Sequence, residues 1–203
     1  MFNFYTNVKL AKSSFILPMN YPISSLFSFL LAVQFAFSEV TTFDWKPSFN
    51  DDPVPQKRLD AIEAALPEVA LAVPDSPRKI LIFSATAGFR HASIATGKVA
   101  LDRMGIKTGA YKALISDDPE NFEIDVLKTF DAVVLLSPTL DFFMPPNKLR
   151  EDFSDAQWNW LQARHERLIA NLVQFVHAGG GLVGIHAATD SCYEDEDLSL
   201  IHI

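Results

Sequence analysis

Apolar runs alternate with amphipathic segments along most of the chain. Apolar residues fill the centres of 79–84, 132–136 and 182–186, which is typical of strands in a parallel sheet that is covered on both faces. Between these runs, apolar residues recur every three or four positions over 93–104 and 155–178, which predicts two helices. This order predicts an α/β fold built on a doubly wound parallel sheet.

Start and stop signals mark the ends of several of these segments. Gly105 follows the first helical pattern and Gly179 follows the second, and both are interpreted as helix stops. Ser154, with Gln157 three residues later, forms a capping box at the start of the second helix. Alternating polarity over 111–115 predicts a short edge strand.

A long irregular segment, 137–153, separates the second apolar run from the second helical pattern. It contains three prolines and is too long for a tight connection, so it is either a lid or an insertion. Both alternatives put it beside the end of a predicted strand.

Residues 39–77 form a lead-in that is punctuated by prolines. Within it, apolar residues recur at spacings of three and four over 56–66, which predicts a short amphipathic helix. Pro67 follows directly and is expected to end that helix. The ordered domain is therefore predicted to span 78–197.

Residues 1–38 have the order of a signal peptide: two lysines, an apolar stretch over 23–37, and a small-x-small sequence at 36–38. The apolar stretch is shorter than the roughly 20 residues that cross a bilayer. We therefore expect an exported protein, periplasmic or extracellular, that begins at Glu39 and has no membrane contact after cleavage. Two alternatives stay open: a true start at Met19, and a buried hydrophobic helix.

The last residues, 198–203, follow a charged run and stop where further strands and helices are expected. We interpret them as a truncation tail and expect the sheet to be incomplete at its C-terminal end. An incomplete sheet would expose an apolar face and an unpaired strand edge.

Composition narrows the classes of partner. Of the 203 residues, 49% are hydrophobic, and the net charge is −8. An acidic chain argues against a nucleic-acid partner, because phosphate binding needs lysine and arginine. The single cysteine, Cys192, cannot form an internal disulfide. It has no neighbouring base in sequence, so we interpret it as an inert thiol.

Polar residues follow three of the predicted strands, over 84–93, 137–141 and 186–191. Ligands of open parallel sheets bind beyond the carboxyl ends of the strands. These three segments are therefore where a binding or catalytic site is expected.

The sharpest candidate is His186, which ends the last apolar run between the small residues Gly184 and Ala188. A nucleophile elbow requires such small neighbours around its strained turn. Histidine cannot act as the thiolate of amide hydrolysis, but it can serve as a general acid or base or as a metal ligand. The alternative is a core histidine with a satisfied hydrogen bond.

Asp190 lies four residues beyond His186, and the two would share a face if a helix begins after the elbow. The alternative is that Asp190 caps that helix. Thr189 and Ser191, its neighbours, are also N-cap residue types.

Arg90 and His91 lie in the segment after the first run. Arg90 could hold an anion or a sugar hydroxyl, and His91 could face His186 across the sheet edge. Alternatively, Arg90 is a solvated surface residue and His91 caps the next helix. We interpret His165, on an exposed stretch of the second helix, as structural. His177 lies in the last turn of that helix, where a cation favours the macrodipole.

No metal or cofactor set is complete in the sequence. The two candidate histidines are too few to define a zinc site, and no His-x-x-x-His pattern or carboxylate triad accompanies them. The glycines at 179–181 precede a predicted strand rather than a helix, so they form a turn and not a phosphate loop. Cofactor and metal therefore stay open.

Three motifs carry a family resemblance. They are Phe83-Ser84-x-x-x-Gly88-Phe89-x-His91 followed by Ser93-Ile94, then Phe130-Asp131-Ala132-Val133-Val134, and then Gly179-Gly180-Gly181-x-Val183-Gly184-x-His186-Ala187-Ala188-x-Asp190. Over residues 78–191 the chain resembles the ThuA-like (trehalose utilisation) family. The resemblance implies a flavodoxin-like sheet of the class I glutamine amidotransferase-like fold.

The resemblance also implies a link to carbohydrate metabolism, with a small-molecule sugar derivative, a disaccharide or its oxidised form, as the partner. Members typically lack the amidotransferase cysteine at the elbow, and His186 agrees with this. Ser137 stands where members more often carry asparagine. Exported members occur, which suits the predicted signal peptide.

Two function classes follow. One is an enzyme acting on a sugar derivative, and the other is a non-catalytic carbohydrate-binding or scaffold module. The catalytic candidates are His186, His91 and Asp190, and the substrate-binding candidates are Arg90, Ser137 and Thr189. Convergence of the catalytic candidates would favour the enzyme. Glutaminase activity is expected to be absent in both cases.

Overall fold

A four-stranded, all-parallel sheet forms the centre of the domain in this computed structural model, which describes residues 43–193. Its strands are β1 (Arg78–Phe83), β2 (Tyr111–Ile115), β3 (Ala132–Leu136) and β4 (Gly181–Ile185). They lie in the order β2-β1-β3-β4. This is the flavodoxin-like order, so the predicted α/β fold class is confirmed.

The two ends of the chain lie outside the described residues. The predicted signal peptide, 1–38, and the predicted tail, 198–203, both fall there. Among residues 43–193, no helix is both long enough and apolar enough to cross a membrane.

Within residues 43–193, four helices and three short 3₁₀ turns connect and flank the strands. The helices are α1 (Gln56–Ala65), α2 (Ser93–Thr108), α3 (Ile124–Leu127) and α4 (Asp155–His177); the 3₁₀ turns are Pro119–Phe122, Asn147–Asp152 and His186–Thr189. The capping box predicted at the start of α4 is present, with the Ser154 side chain accepting a hydrogen bond from the backbone N–H of Gln157. The sequence pattern therefore located each long helix.

Gly105 is a correction, because α2 does not stop there. The helix continues to Thr108 and ends at Gly109, whose φ of +67° is left-handed. A Cβ added at Gly105 would lie 2.5 Å from the ring of Tyr111 on β2. This glycine therefore permits close packing of helix on strand and does not terminate the helix.

Two apolar clusters cover the two faces of the sheet. The larger cluster joins β1 and β3 to α3 and α4 through Phe83, Leu127 and Leu172 among others. The smaller cluster joins the same strands to α2 through Ile82 and Ile94. Burial on both faces explains why β1 and β3 read as continuous apolar runs.

β4 differs from the two central strands because, within residues 43–193, it pairs with β3 alone. Its burial is partial, and Val183 is 48% exposed. The strand keeps full parallel register with β3 from Ala132–Gly181 to Leu136–Ile185. This register decides which residues meet just beyond the strand ends.

Residues from the lead-in lie against the domain. The Trp45 carbonyl accepts a hydrogen bond of 2.9 Å from the buried Arg164 on α4. The Phe43 ring packs edge-on against Trp160, with 5.3 Å between centroids. Asp51 bonds to Arg90 in the segment after β1. This last contact helps to position the candidate site.

Candidate functional site

The three segments beyond the carboxyl ends of β1, β3 and β4 are tied to one another. Thr86 pairs with Thr139, and Leu140 pairs with Ser191, both as parallel bridges. The sheet order thus continues into the loops. Because the chain leaves β1 toward one edge of the sheet and β3 toward the other, the two strands flank a topological switch point. A crevice for ligands is expected at such a point.

Strand register brings Ser137 and His186 together. Leu136 pairs with Ile185, so the next residues on each strand are neighbours, and the Ser137 N–H donates to the Ile185 carbonyl at 3.0 Å. The Ser137 Oγ lies 3.3 Å from the Nδ1 of His186. This contact brings together two residues that the sequence singled out separately.

Both residues have strained backbones. The φ angles are +51° at Ser137 and +55° at His186, in the left-handed region that costs a non-glycine residue about 1–2 kcal/mol. Such strain clusters at functional sites. A positive φ directly after a strand is also the conformation expected of an elbow residue.

His91 meets His186, which is one of the two alternatives that the sequence left open for His91. Their ring centroids are 4.5 Å apart and the rings are nearly perpendicular, at 86°. Phe89 packs edge-on against the other side of His91, with 4.8 Å between centroids. Phe89 itself is 72% exposed and His186 is exposed. We call His91 and His186 the imidazole pair; it faces solvent beside an exposed aromatic ring.

Arg90 is held inside an ionic network instead of facing a ligand. Its Nε and Nη2 donate to the two carboxylate oxygens of Asp51 at 2.6 and 2.7 Å, and its Nη1 donates to the Ser84 carbonyl at 2.8 Å. The guanidinium also lies 3.9 Å from the centroid of the Phe49 ring. The alternative of a solvated surface arginine is therefore wrong, and these contacts anchor the loop that carries His91.

Lys98 and Asp117 complete this network. The Lys98 Nζ lies 3.1 Å from Asp51 and 3.0 Å from Asp117. Hydrogen bonds from Arg90, opposed by burial and reinforced by Lys98, hold the pKa of Asp51 below its usual value of 3.8. The Asp51 carboxylate is therefore stabilised in its charged form.

Asp190 does not join the imidazole pair. Within residues 43–193, no hydrogen bond or ion pair links its carboxylate to His91 or His186, and both Asp190 and Thr189 are exposed. The prediction of a shared face assumed an α-helix after the elbow. A 3₁₀ turn forms there instead, over His186–Thr189, and Asp190 is its C-cap. With three residues per turn, positions four apart lie on different faces.

A separate cleft of about 590 Å³ opens between α4 and the segment after β3. Its lining residues are Ala87, Leu140, Asp141, Met144, Pro145, Asn147, Trp158, Gln162, His165, Glu166 and Tyr193. Neither member of the imidazole pair lines it. The volume lies within the range typical of small-molecule sites.

Three potential ligand residues lie close together, and two of them, Asp141 and His165, line this cleft. One ligand atom from each of Asp141, His165 and Cys192 lies within 4.8 Å of the other two. His165 is 8% exposed and Cys192 is fully buried, whereas Asp141 is exposed. The interpretation of His165 as lying on an exposed stretch is wrong, and Cys192 has a base near it in space although not in sequence.

The burial of His165 could have been read from the sequence. It follows Leu161 by four residues and precedes Leu168 by three, which is the spacing of the apolar face of α4. The cluster itself had no such signal, because Asp141 and Cys192 come from separate connections and meet only in the folded chain.

The fold and the elbow define the class of protein. It is an α/β domain of flavodoxin-like strand order with an elbow at the carboxyl edge of the sheet, as in the class I glutamine amidotransferase-like fold. A family model described as "ThuA: Trehalose utilisation" matches residues 79–200, more than half of the chain. The chain therefore belongs to the ThuA family. No curated protein and no solved structure matches it significantly.

Proposed function

We propose that this chain is an exported enzyme of carbohydrate metabolism that acts on a small sugar derivative through the imidazole pair. The contact between His91 and His186 at the switch point, with 4.5 Å between ring centroids, is the observation that carries the proposal. Membership of a trehalose-utilisation family supports the substrate class. The net charge of −8 supports a small-molecule partner over nucleic acid.

Two adjacent imidazoles can divide proton transfer between them. One ring accepts a proton from a sugar hydroxyl or carbon acid while the other supplies a proton to the oxygen that gains charge. Imidazole suits both tasks because it gains and loses protons near neutral pH. In the ThuA chain, the exposure of His186 and the partial exposure of His91 support access by a ligand from solvent.

Ser137 supports a defined orientation of His186. Its hydroxyl lies 3.3 Å from Nδ1, which leaves Nε2 as the nitrogen available to a ligand. The hydroxyl can donate to Nδ1 or accept from it, and each case fixes a different tautomer. We therefore assign Ser137 as a positioning residue for His186.

Phe89 and Thr189 are the residues that we assign to sugar binding. An aromatic ring packs against the apolar face of a sugar ring, and Phe89 is 72% exposed beside His91. Thr189 is exposed three residues after His186 and offers a hydroxyl. Arg90 is not assigned to binding, because its donors already engage Asp51 and Ser84.

A non-catalytic carbohydrate-binding module is the second candidate. The observation that favours it is that the Asp190 carboxylate makes no hydrogen bond or ion pair with either imidazole in the described part of the chain. An acid–base pair without a carboxylate to orient it is weaker than a three-residue arrangement. The two candidates differ in turnover and not in binding.

The test is to incubate the chain with a panel of disaccharides and their oxidised derivatives and to measure turnover by proton NMR. We expect wild-type turnover, and losses of about 100-fold or more in His186→Ala and His91→Ala, the usual contribution of one general acid or base. His177→Ala is the matched control, because His177 is exposed in the last turn of α4. Binding without turnover would favour the module. If the chain neither binds nor turns over any sugar of the panel, both candidates are contradicted.

Glutaminase activity is proposed to be absent. Amide hydrolysis on this fold needs a thiolate at the elbow, and the elbow residue here is His186. Cys192 is fully buried, and its Sγ lies 3.8 Å from the Leu140 carbonyl. We expect no ammonia release from glutamine above a buffer blank, and no rescue in His186→Cys. Measurable release by the wild-type chain would overturn this part of the proposal.

Export rests on the sequence of residues 1–38, with its basic, apolar and small-residue order. We expect the mature chain to begin at Glu39. Mass spectrometry of the protein from its native host tests this, and an intact N-terminus in the cytosolic fraction would contradict it.

A further inference from the structure

The cluster formed by Asp141, His165 and Cys192 has no role in the proposed acid–base chemistry. Its residues come from three elements: the segment after β3, the middle of α4, and the connection after the His186–Thr189 turn. One ligand atom from each lies within 4.8 Å of the other two. Convergence of a carboxylate, an imidazole and a thiol from distant parts of the chain is what a metal site requires.

The three ligand types select a class of metal. Thiolate and imidazole favour zinc and related late transition metals, whereas magnesium and calcium prefer oxygen ligands alone. Around a tetrahedral zinc ion the ligand atoms would lie about 3.3–3.6 Å apart, from bond lengths of about 2.0–2.3 Å. A small inward rotation of side chains closes the difference, and Asp141 is exposed and has room to rotate.

The burial of the cluster indicates an open coordination position. Cys192 is fully buried and His165 is 8% exposed, whereas Asp141 is exposed. Asp141 and His165 both line the 590 Å³ cleft. Three protein ligands with a fourth position open to a cavity are the pattern of catalytic zinc, in contrast to closed structural sites.

The backbone around the cluster is strained, and hydrogen bonds join its segments. Leu140 and Cys192 have φ angles of +54° and +52°, and the Cys192 N–H donates to the Leu140 carbonyl at 3.3 Å. The neighbouring Ser191 hydroxyl donates to the Pro138 carbonyl at 3.0 Å. Strain of this kind persists where surrounding contacts fix a functional geometry. Here it brings Asp141 and Cys192 side by side.

We propose that Asp141, His165 and Cys192 bind a divalent metal ion of the zinc class at the wall of the cleft. The site is separate from the imidazole pair, so this inference stands or falls independently of the proposed function. A bound ion would carry a water molecule or a ligand oxygen at its open position, facing the cleft.

The test uses the full chain, freed of metal with a chelator, and Co²⁺ as a spectroscopic substitute for Zn²⁺. We expect one equivalent to bind with a thiolate-to-cobalt charge-transfer band, and Zn²⁺ to displace it. Cys192→Ser should abolish the band. His165→Ala and Asp141→Ala should weaken Zn²⁺ affinity, measured by calorimetry, by about 100-fold or more.

The controls separate this site from the imidazole pair. His186→Ala and His177→Ala should bind Zn²⁺ as wild type does. Asp141→Ala keeps the test decisive if the buried variants fail to fold, because Asp141 is exposed. Unchanged Zn²⁺ affinity in Asp141→Ala and Cys192→Ser would overturn the proposal. Loss of binding in His186→Ala alone would also overturn it, by moving the metal to the imidazole pair.

Discussion

The imidazole pair and the metal-ligand cluster both touch the segment that follows β3, yet they are built in different ways. His186 directly follows β4 and is exposed, and His91, which is partly exposed, lies in the loop between β1 and α2. The two rings meet beside Ser137. The cluster lies only a few residues further along that segment, at Asp141, but depends on a helix side chain, His165, and is largely buried. One segment thus contributes to two sites of opposite character.

The difference shows what strand register fixes and what packing must supply. Once Leu136 pairs with Ile185, the next residues on each strand must be neighbours, whatever the rest of the fold does. The cluster instead requires α4 to pack with one particular face toward the sheet. A register error between β3 and β4 would therefore separate His186 from Ser137, whereas an error in helix packing would destroy the cluster.

The largest effect that would separate the two regions is expected from Asp51→Asn. This change removes the carboxylate that holds Arg90, and with it the anchor of the loop that carries His91. Loss of one partner from a partly buried charged network should cost about 2 kcal/mol of unfolding free energy, less than for a fully buried pair. Urea denaturation measures this loss.

The same variant should lower sugar turnover and leave Zn²⁺ affinity at the cleft unchanged. Comparable losses of sugar turnover and of Zn²⁺ affinity would show that the network stabilises the whole domain and does not specifically position His91. An unchanged urea midpoint would contradict the anchoring role.

The effect of Asp51 should also depend on pH. Arg90 holds the pKa of this carboxyl below 3.8 in the folded chain, so its contribution is fully present above that pH. It is lost as the pH falls through the lower folded value. Wild type and Asp51→Asn should therefore differ most near neutral pH, and the difference should shrink as the pH falls below 3.8. A stability gap that persists or widens in acid would contradict this assignment.

Much of the fold could be predicted from the sequence because its signals are local. The apolar runs located β1, β3 and β4, and the Ser154 capping box located the start of α4. Gly105 was misread because a glycine after a helical pattern can mark either the end of the helix or a close contact with a neighbouring element. Only the position of Tyr111 distinguishes the two.

The candidate site was predictable only in part, for a related reason. His186 directly follows β4 and Ser137 directly follows β3, so strand register brings these two together. His91 lies eight residues after the end of β1, in the loop that Arg90 anchors. A face shared by Asp190 and His186 depended on an α-helix after the elbow, and a 3₁₀ turn forms there instead. Local sequence does not decide between the two. The cluster of Asp141, His165 and Cys192 depends on contacts between residues far apart in the chain, which no spacing rule describes.

A smaller effect is expected from Ser137, whose hydroxyl contacts His186. Ser137→Ala removes one neutral hydrogen bond, worth about 1 kcal/mol, so turnover should fall about fivefold. Ser137→Gly removes the same hydroxyl but relieves the cost of a φ of +51°. Turnover should fall similarly in both variants, while the glycine variant should be the more stable by about 1 kcal/mol. Unchanged turnover in both would exclude Ser137 as a positioning residue.

The smallest effect is expected from Ser154→Ala, at the start of the helix that forms the wall of the cleft. The Ser154 hydroxyl accepts from the Gln157 N–H at 3.2 Å, and the Gln157 side chain accepts from the Ser154 N–H at 2.9 Å. Loss of this exposed cap should cost about 0.5–1 kcal/mol of unfolding free energy.

The same variant should leave sugar turnover unchanged. The helix α4 carries Trp158 and His165 along the cleft but contributes no residue to the imidazole pair, so fraying of its first turn does not reach that pair. Zn²⁺ affinity should change by less than about twofold, since His165 lies beyond the frayed turn, about three helical turns along. Urea denaturation, turnover and calorimetry on the one variant check all three outcomes. A measurable fall in turnover by the folded variant would show that the two regions are coupled through α4, contrary to the independence inferred above.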